Sequence, residues 1–362
     1  MPADRRGDRQ AALRRRVHAQ DLDGILVTHA PNIRYLSGFT GSAGLLLLTS
    51  DHTTLVTDFR YAEQAPLETH GAAEVVVEQR NVWDRMVKLL SRGPRLRFAF
   101  ERDRLTVRDA ERLAGLPGAE PVPSSELVEG LRIVKDAGEV AAITAAAELA
   151  QAALAELLPS LKPGETEREI AARLEAALRR RGSEWHPFQT IVASGPRSAL
   201  PHARAGERVV GRGEWLLLDF GAQLDGYCAD ITRTVVVGGP ADQRQREVYG
   251  IVRKAQQKAR EGVRVGMAGH EADALARDVI TAAGFGDAFG HSVGHGLGLE
   301  VHEAPRLAVT AEERLPAGAV VTVEPGIYLE GWGGVRLEDD IHLTPEGPQC
   351  LSDGRTELLE TH

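Results

Sequence analysis

Along the first 130 residues, short apolar runs alternate with stretches of helical spacing. GILVTH at 24–29, AGLLLLT at 43–49 and TTLVTD at 53–58 read as strands, and helical patterns fall at 82–92 and 107–115. That alternation predicts an α/β domain. The opening MPADRRGDRQAALRRRVHAQ is rich in arginine but contains acids, and it lacks the apolar core of about 7–15 residues that a targeting segment needs, so it reads as a first surface helix. The Pro-, Gly- and Ser-rich LPGAEPVPSS at 116–125 is the predicted linker, dividing the chain into domains at 1–125 and 126–362. From Leu131 the pattern becomes a long helix, with Ile133, Val140, Ile143, Ala147 and Leu154 near helical spacing. A second helix covers 165–182, acids early and arginines late, as the helix dipole favours. Beyond residue 189 strands return: EWLLLDFG and GYCADITRTVVVGG flank a turn at 223–226 and read as a β-hairpin. Helices near 241–262 and 270–284 and a strand-rich block at 319–350 complete an α+β domain.

Within that domain one pattern occurs twice. DFGAQLDGY, from Asp219 to Tyr227, aligns without gaps to EPGIYLEGW, from Glu324 to Trp332. Gly221, Leu224 and Gly226 match Gly326, Leu329 and Gly331. Each copy begins with an acid on a strand, turns at an acid-Gly pair, and carries a second acid on the returning strand, Asp230 in the first and Glu338 in the second.

Taken singly, each acid has a structural explanation. Arg233 lies near Asp230, and Arg336 lies near Glu338, so ion pairing or capping would account for either. Four acids at the mouths of two matching hairpins change the reading, because burying that much negative charge requires cations, and metal ions supply them most compactly. GHSVGHGLGLEVHE adds His291, His295 and His302 in a glycine-rich loop. An imidazole beside carboxylates gives a mixed N/O ligand set that suits Mn, Co, Fe or Zn better than Ca or Mg. The spacing is not HExxH, and Cys228 and Cys350 lie too far apart in sequence for a zinc finger. Cys228 reads as small core filler, and the arginines at 179–181 as a solvated helix end.

Composition narrows the classes. A net charge of -9 argues against a nucleic-acid binder. The apolar runs 44–48 and 319–323 fall well short of the roughly 18 residues of a membrane span. Two cysteines fit a reducing compartment, so a cytoplasmic location is expected.

The stretches LLLDFG, GYCADITRT, HSVGHGLGLEVHE, VEPGIY and GVRLEDD, in that order, resemble the aminopeptidase P and prolidase family of pita-bread metallopeptidases. NIRYLSGFTGSAG and TDFRYAEQA resemble the creatinase-like N-terminal domain of the same family. The resemblance implies a pita-bread C-terminal domain with a pseudo-twofold antiparallel sheet, holding two divalent ions, Mn first and Zn or Co as alternatives. Its metal-ligand positions are Asp219, Asp230, His295, Glu324 and Glu338, all intact in this chain. A non-catalytic scaffold relative of the fold would be expected to have lost one or more of them. The resemblance further implies a metal-bridging hydroxide as nucleophile, supporting roles for His202 and His302, Glu324 as proton shuttle, and a proline pocket lined by His291, Tyr328 and Arg336. The expected substrate is a peptide with proline second, and the expected assembly a homodimer. Between Glu324 and Arg336 the loop YLEGWGG contains no basic residue to hold a free proline carboxylate. On that ground the expected activity is aminopeptidase P, with a prolidase, which cleaves only Xaa-Pro dipeptides, as the alternative.

Overall fold

In the first unit, the runs of leucine and β-branched residues become strands buried on both faces, as they must when helices cover a sheet. The computed structural model describes residues 5–91, 95–352, 354 and 356–361, in two units, Met1–Arg132 and Ile133–His362. The first unit is one mixed sheet of β1 (Gly24–Val27), β2 (Gly44–Thr49), β3 (Thr53–Asp58), β4 (Glu74–Glu78), β5 (Leu96–Glu101) and β6 (Ala119–Ser124). The strand order is β4-β3-β2-β1-β5-β6. Its helices are α1 (Arg6–His18), α2 (Ala30–Ser37), α3 (Gln64–Thr69), α4 (Val82–Leu90), α5 (Val107–Ala114) and α6 (Glu129–Arg132). α1 lies where the arginine-rich opening predicts a helix, with Leu13 and Val17 buried on one face. Residues 1–4, and residue 92 at the end of the helix expected at 82–92, lie outside the described residues.

The expected linker at 116–125 is not one. β6 occupies most of it and pairs in parallel with β5, from Leu96↔Ala119 to Glu101↔Ser124. Pro121 and Pro123 are tolerated because they are two apart on an edge strand, so both missing N–H groups fall on the side away from β5. Nor does a helix run on from Leu131. Lys135 donates its N–H to Gly318 O, and the long helix α7 (Ala137–Leu157) starts only where Asp136 and Glu139 form a capping box.

The second unit repeats a helix pair plus a sheet. α7 and α8 (Glu167–Arg180) pack on a sheet containing β7 (Ile191–Ser194), β8 (Glu214–Phe220) and, after the short β9 (Gln223–Leu224) and β10 (Tyr227–Cys228), β11 (Ile231–Val237). α9 (Gln243–Gly262) and α10 (Gly269–Ala282) pack on the second sheet. That sheet holds β12 (Gly294–Gly296), β13 (Glu303–Leu307) and β14 (Val320–Val323). After the tip strands β15 (Gly326–Leu329) and β16 (Gly333–Arg336), it adds β17 (Asp339–Thr344) and β18 (Gly347–Cys350). β19 (Leu359–Glu360) joins the first sheet in parallel beside β11. By length and composition α7 and its following turn, Ala137–Ser160, are apolar enough to span a membrane. Here its Ala146, Ala147, Ala150, Ala153 and Leu154 are core residues facing α8 and the first sheet.

The two hairpins share one construction. In the first, β8 and β11 form the body and β9 and β10 the tip; in the second, β14 and β17 form the body and β15 and β16 the tip. Asp225 and Gly226 both have positive φ, the type I′ geometry that an acid-Gly pair supplies between tightly paired strands. Gly221 is fixed for another reason: a Cβ there would run into Ala229 O and come within 2.8 Å of the Pro187 ring. Gly221→Ala is expected to cost about 1–3 kcal/mol, because backbone and ring must both move. Urea denaturation monitored by circular dichroism checks it.

Candidate metal centre

Asp219, the penultimate residue of β8, stands opposite Thr232, and Asp230 immediately precedes β11. Glu324 follows β14 and Glu338 precedes β17, so each hairpin delivers two acids where its body gives way to its tip. His295 arrives from outside both hairpins, at the centre of β12 next to β14. Thr322 Oγ1 accepts its backbone N–H at 3.1 Å, and its Nδ1 lies 3.1 Å from Gly296 O. That leaves Nε2 3.5 Å from Glu324 and 3.7 Å from Asp230. Asp230, His295 and Glu338 each present a ligand atom, all within 4.8 Å of one another.

The protein alone leaves this cluster electrostatically unresolved. Burial and the neighbouring acids Glu338, Asp219 and Glu324 raise the Asp230 pKa well above the carboxylate range. Glu324 is raised likewise by burial and by Glu338, with Arg336 opposing. Glu338 is pushed up to about 8 by burial and Asp219, although Arg336 and a hydrogen bond from Thr232 pull it down. His295 is held neutral, its pKa lowered to about 4 by burial and by His302. Asp219 Oδ1 and Asp230 Oδ1 are buried without a hydrogen-bond partner. Orphaned oxygens among crowded acids, with a neutral imidazole aimed at them, are what a divalent cation would satisfy.

Around the cluster, Thr232 Oγ1 donates to Glu338 Oε2 at 2.6 Å and accepts from Arg336 Nε at 3.1 Å. Asp340 Oδ2 accepts the Asp230 N–H at 3.2 Å. Arg233 does not pair with Asp230. It turns to the opposite side, donating to Glu338 O at 2.6 Å and pairing with Asp339 at 2.8 Å, where Arg260 also binds at 3.1 Å. Arg336 pairs with neither Asp230 nor Glu338 but with Asp219, at 2.5 Å across the two hairpins. Burial opposes its charge, yet Tyr328, Asp219 and the other acids hold its pKa above the ordinary value.

Arg336 Nη1 also donates to Tyr328 OH at 2.8 Å, and that hydroxyl lies 2.8 Å from His291 Nε2. The three expected pocket residues thus form one chain ending at Asp219. His302 lies against His295, ring centroids 4.5 Å apart, and His202 is close enough to act electrostatically on both His291 and His302. His202 and His302 are both exposed. Cys228 is buried between Ile143, Leu297, Val320 and Leu351, as core filler. The arginines at 179–181 do more than meet solvent: Arg180 and Arg181 pair with Glu156, and Arg179 caps Ser183 O. Thr232, Asp339 and Asp340 escaped the sequence reading; the signal for Thr232 was the polar run Thr232-Arg233-Thr234 on a fully buried strand, ITRTVVV.

Residues 141–345 match metallopeptidase family M24. The chain belongs to that family. Residues 9–134 match the creatinase/prolidase N-terminal domain. Among similar solved structures, the Xaa-Pro dipeptidase from Bacillus anthracis is 42% identical with a TM-score of 0.93, covering 98% of this chain and 99% of its own. The X-Pro aminopeptidase from Thermotoga maritima MSB8 is 37% identical with a TM-score of 0.90, covering 97% and 99%. The Xaa-Pro dipeptidase of Pyrococcus horikoshii is 37% identical over 93% of this chain and 95% of its own length. These matches fix the architecture as a creatinase-type domain followed by a pita-bread domain. As an M24 metallopeptidase the chain is a hydrolase dependent on divalent metal, and the hairpin acids with His295 are the residues that fit one.

Proposed function

We propose that this chain is an Xaa-Pro dipeptidase, a prolidase, acting through two divalent ions held by Asp219, Asp230, His295, Glu324 and Glu338. The observation that carries this reading is the buried four-carboxylate cluster, set in a chain that aligns end to end with M24 proteins named Xaa-Pro dipeptidase. Four carboxylates carry a charge of -4, which two divalent cations would offset, and the N/O donor set favours Mn, with Co or Zn as alternatives. When bound, such ions supply Lewis-acid polarisation of the scissile carbonyl and a lowered pKa for attacking water.

The chain's own groups do the rest. Glu324, the ligand that would face the leaving nitrogen, would shuttle a proton to it. His202 and His302 would orient the scissile carbonyl. His291, Tyr328 and Arg336 form the wall against which the pyrrolidine ring would lie; a proline nitrogen offers no N–H, so shape must replace a backbone hydrogen bond there.

The sequence-level preference for aminopeptidase P rested on the absence of a basic residue in YLEGWGG. The relatives named Xaa-Pro dipeptidase support the dipeptidase instead. Aminopeptidase P stays as the second reading because of the Thermotoga maritima neighbour. Mn-loaded protein is expected to cleave an Xaa-Pro dipeptide at least tenfold faster, by kcat/KM, than the matching Xaa-Pro-Yaa tripeptide. The reverse ratio establishes the aminopeptidase, and turnover of neither sinks both.

A further inference from the structure

The segment Phe289–Val293, which presents His291, has no helix or strand of its own. A backbone so placed cannot satisfy its carbonyls internally, and Gly290 adds freedom. Its ties come from α10. Arg277 grips Asp273 through two bonds, Nε to Oδ2 at 2.5 Å and Nη2 to Oδ1 at 2.9 Å. The same guanidinium donates to Phe289 O at 2.9 Å and to His291 O at 2.7 Å, and lies 4.3 Å from the centre of the Phe289 ring. Phe289 in turn meets the His291 ring edge to face at 5.0 Å. Asp273 Oδ1 accepts the Val293 N–H at 3.0 Å, while Val293 O accepts the Glu324 N–H at 2.8 Å. The pair therefore fixes both sides of His291 and ends one residue from a predicted ligand.

The imidazole is fixed as well. Its Nδ1 lies 2.8 Å from Ser292 O, a pure acceptor, so Nδ1 carries the proton and Nε2 accepts from Tyr328 OH. The hydrogen bonds then run one way, from Arg336 N–H to Tyr328 oxygen and from Tyr328 O–H to His291 Nε2.

We propose that the Asp273–Arg277 pair is a positioning device that sets the place and tautomer of His291, and so the shape of the pocket wall on the proline side. The proposal rests on the peptidase reading above for its functional consequence, though not for its structural one. Lysine cannot substitute, because a point charge on a flexible stem cannot hold a carboxylate bidentately and two carbonyls at once.

The test compares wild type, Arg277→Lys, His291→Ala and the double variant as Zn-loaded full chains, which are diamagnetic. With an Xaa-Pro dipeptide, Arg277→Lys is expected to raise KM about tenfold and lower kcat less than about threefold. In the His291→Ala background the same substitution is expected to change KM less than about twofold, the non-additivity of residues acting through one group. Long-range 1H–15N spectra of 15N-histidine-labelled protein are expected to show a pure Nδ1–H tautomer for His291 in wild type and averaged nitrogen shifts in Arg277→Lys. Asp273→Asn, which keeps the acceptor for Val293 N–H but loses the paired charge, carries the same comparison should Arg277→Lys fail to fold. Equal KM costs in both backgrounds with unaltered His291 shifts would overturn the proposal and leave a structural staple. A wild type that cleaves no Xaa-Pro peptide sinks the functional reading instead, and the nitrogen shifts then decide the positioning by themselves.

Discussion

Asp230→Ala is expected to lower kcat/KM on an Xaa-Pro dipeptide by at least about 1,000-fold, near 4 kcal/mol of transition-state stabilisation at about 1.36 kcal/mol per decade. Asp230 is the acid most completely committed to the centre. It is buried, one oxygen has no partner in the protein, and the side chain lies 3.7 Å from His295 Nε2. Its N–H is held by Asp340, so the carboxylate enters at a fixed angle. Removing it takes away ligand charge and relieves the repulsion Asp230 exerts on Glu338, Asp219 and Glu324, which offsets the loss of a small side chain. Folding should therefore survive: the metal-free variant is expected to melt at or above the metal-free wild type, while bound metal per chain falls. Metal analysis after gel filtration, beside steady-state kinetics, checks both halves. An active variant retaining its full metal complement would place the centre elsewhere.

What the sequence made legible, it made legible through periodicity and chemical incongruity. Asp219 and Glu324 stand out because each ends a run of residues that only a buried strand would contain. Asp225–Gly226 announces its own turn, and the second copy of the pattern names the second hairpin. Other features depended on distances that sequence does not encode. Arg336 is two residues from Glu338, yet its partner is Asp219, 117 positions away, because the hairpins meet face to face through Thr232 and Thr234. Asp273 and Arg277, four apart on a helix, have the spacing of an ordinary surface ion pair, and only the fold shows that the pair faces an irregular segment carrying His291. β6 was hidden by prolines that normally exclude a strand, and only its edge position reconciles them. The repeat itself was larger than its nine aligned residues: each half also has its own helix pair packed on its own sheet.

Stripping the metal is expected to make stability fall as pH rises, the reverse of most carboxylate-bearing proteins. Asp230, Glu324 and Glu338 have pKa values raised in the fold, Glu338 from 4.5 to about 8. Where the unfolded chain has already ionised these groups and the fold still holds their protons, the native state binds more protons, so stability declines with pH. For Glu338 the loss begins near pH 4.5 and is complete near 8. His291 and His295 act in the opposite sense. Both are lowered from 6.5 to about 4, so their cost appears only as pH falls below 6.5. Between pH 6.5 and 8 the acids therefore act with little opposition, and the melting temperature of chelator-treated protein is expected to drop by roughly 5 °C or more over that interval, at about 2–4 °C per kcal/mol for a unit of this size. Metal reverses the sign, because it binds the deprotonated ligands and expels their protons. Zn- or Mn-loaded protein should gain stability across the same window, and titration calorimetry in buffers of different ionisation enthalpy should record proton release on binding. A metal-free protein whose melting temperature stays level or rises from pH 6.5 to 8 would mean that the acids are ionised without a cation. Arg336 alone would then be neutralising a cluster that, on the geometry described, has too many charges for it.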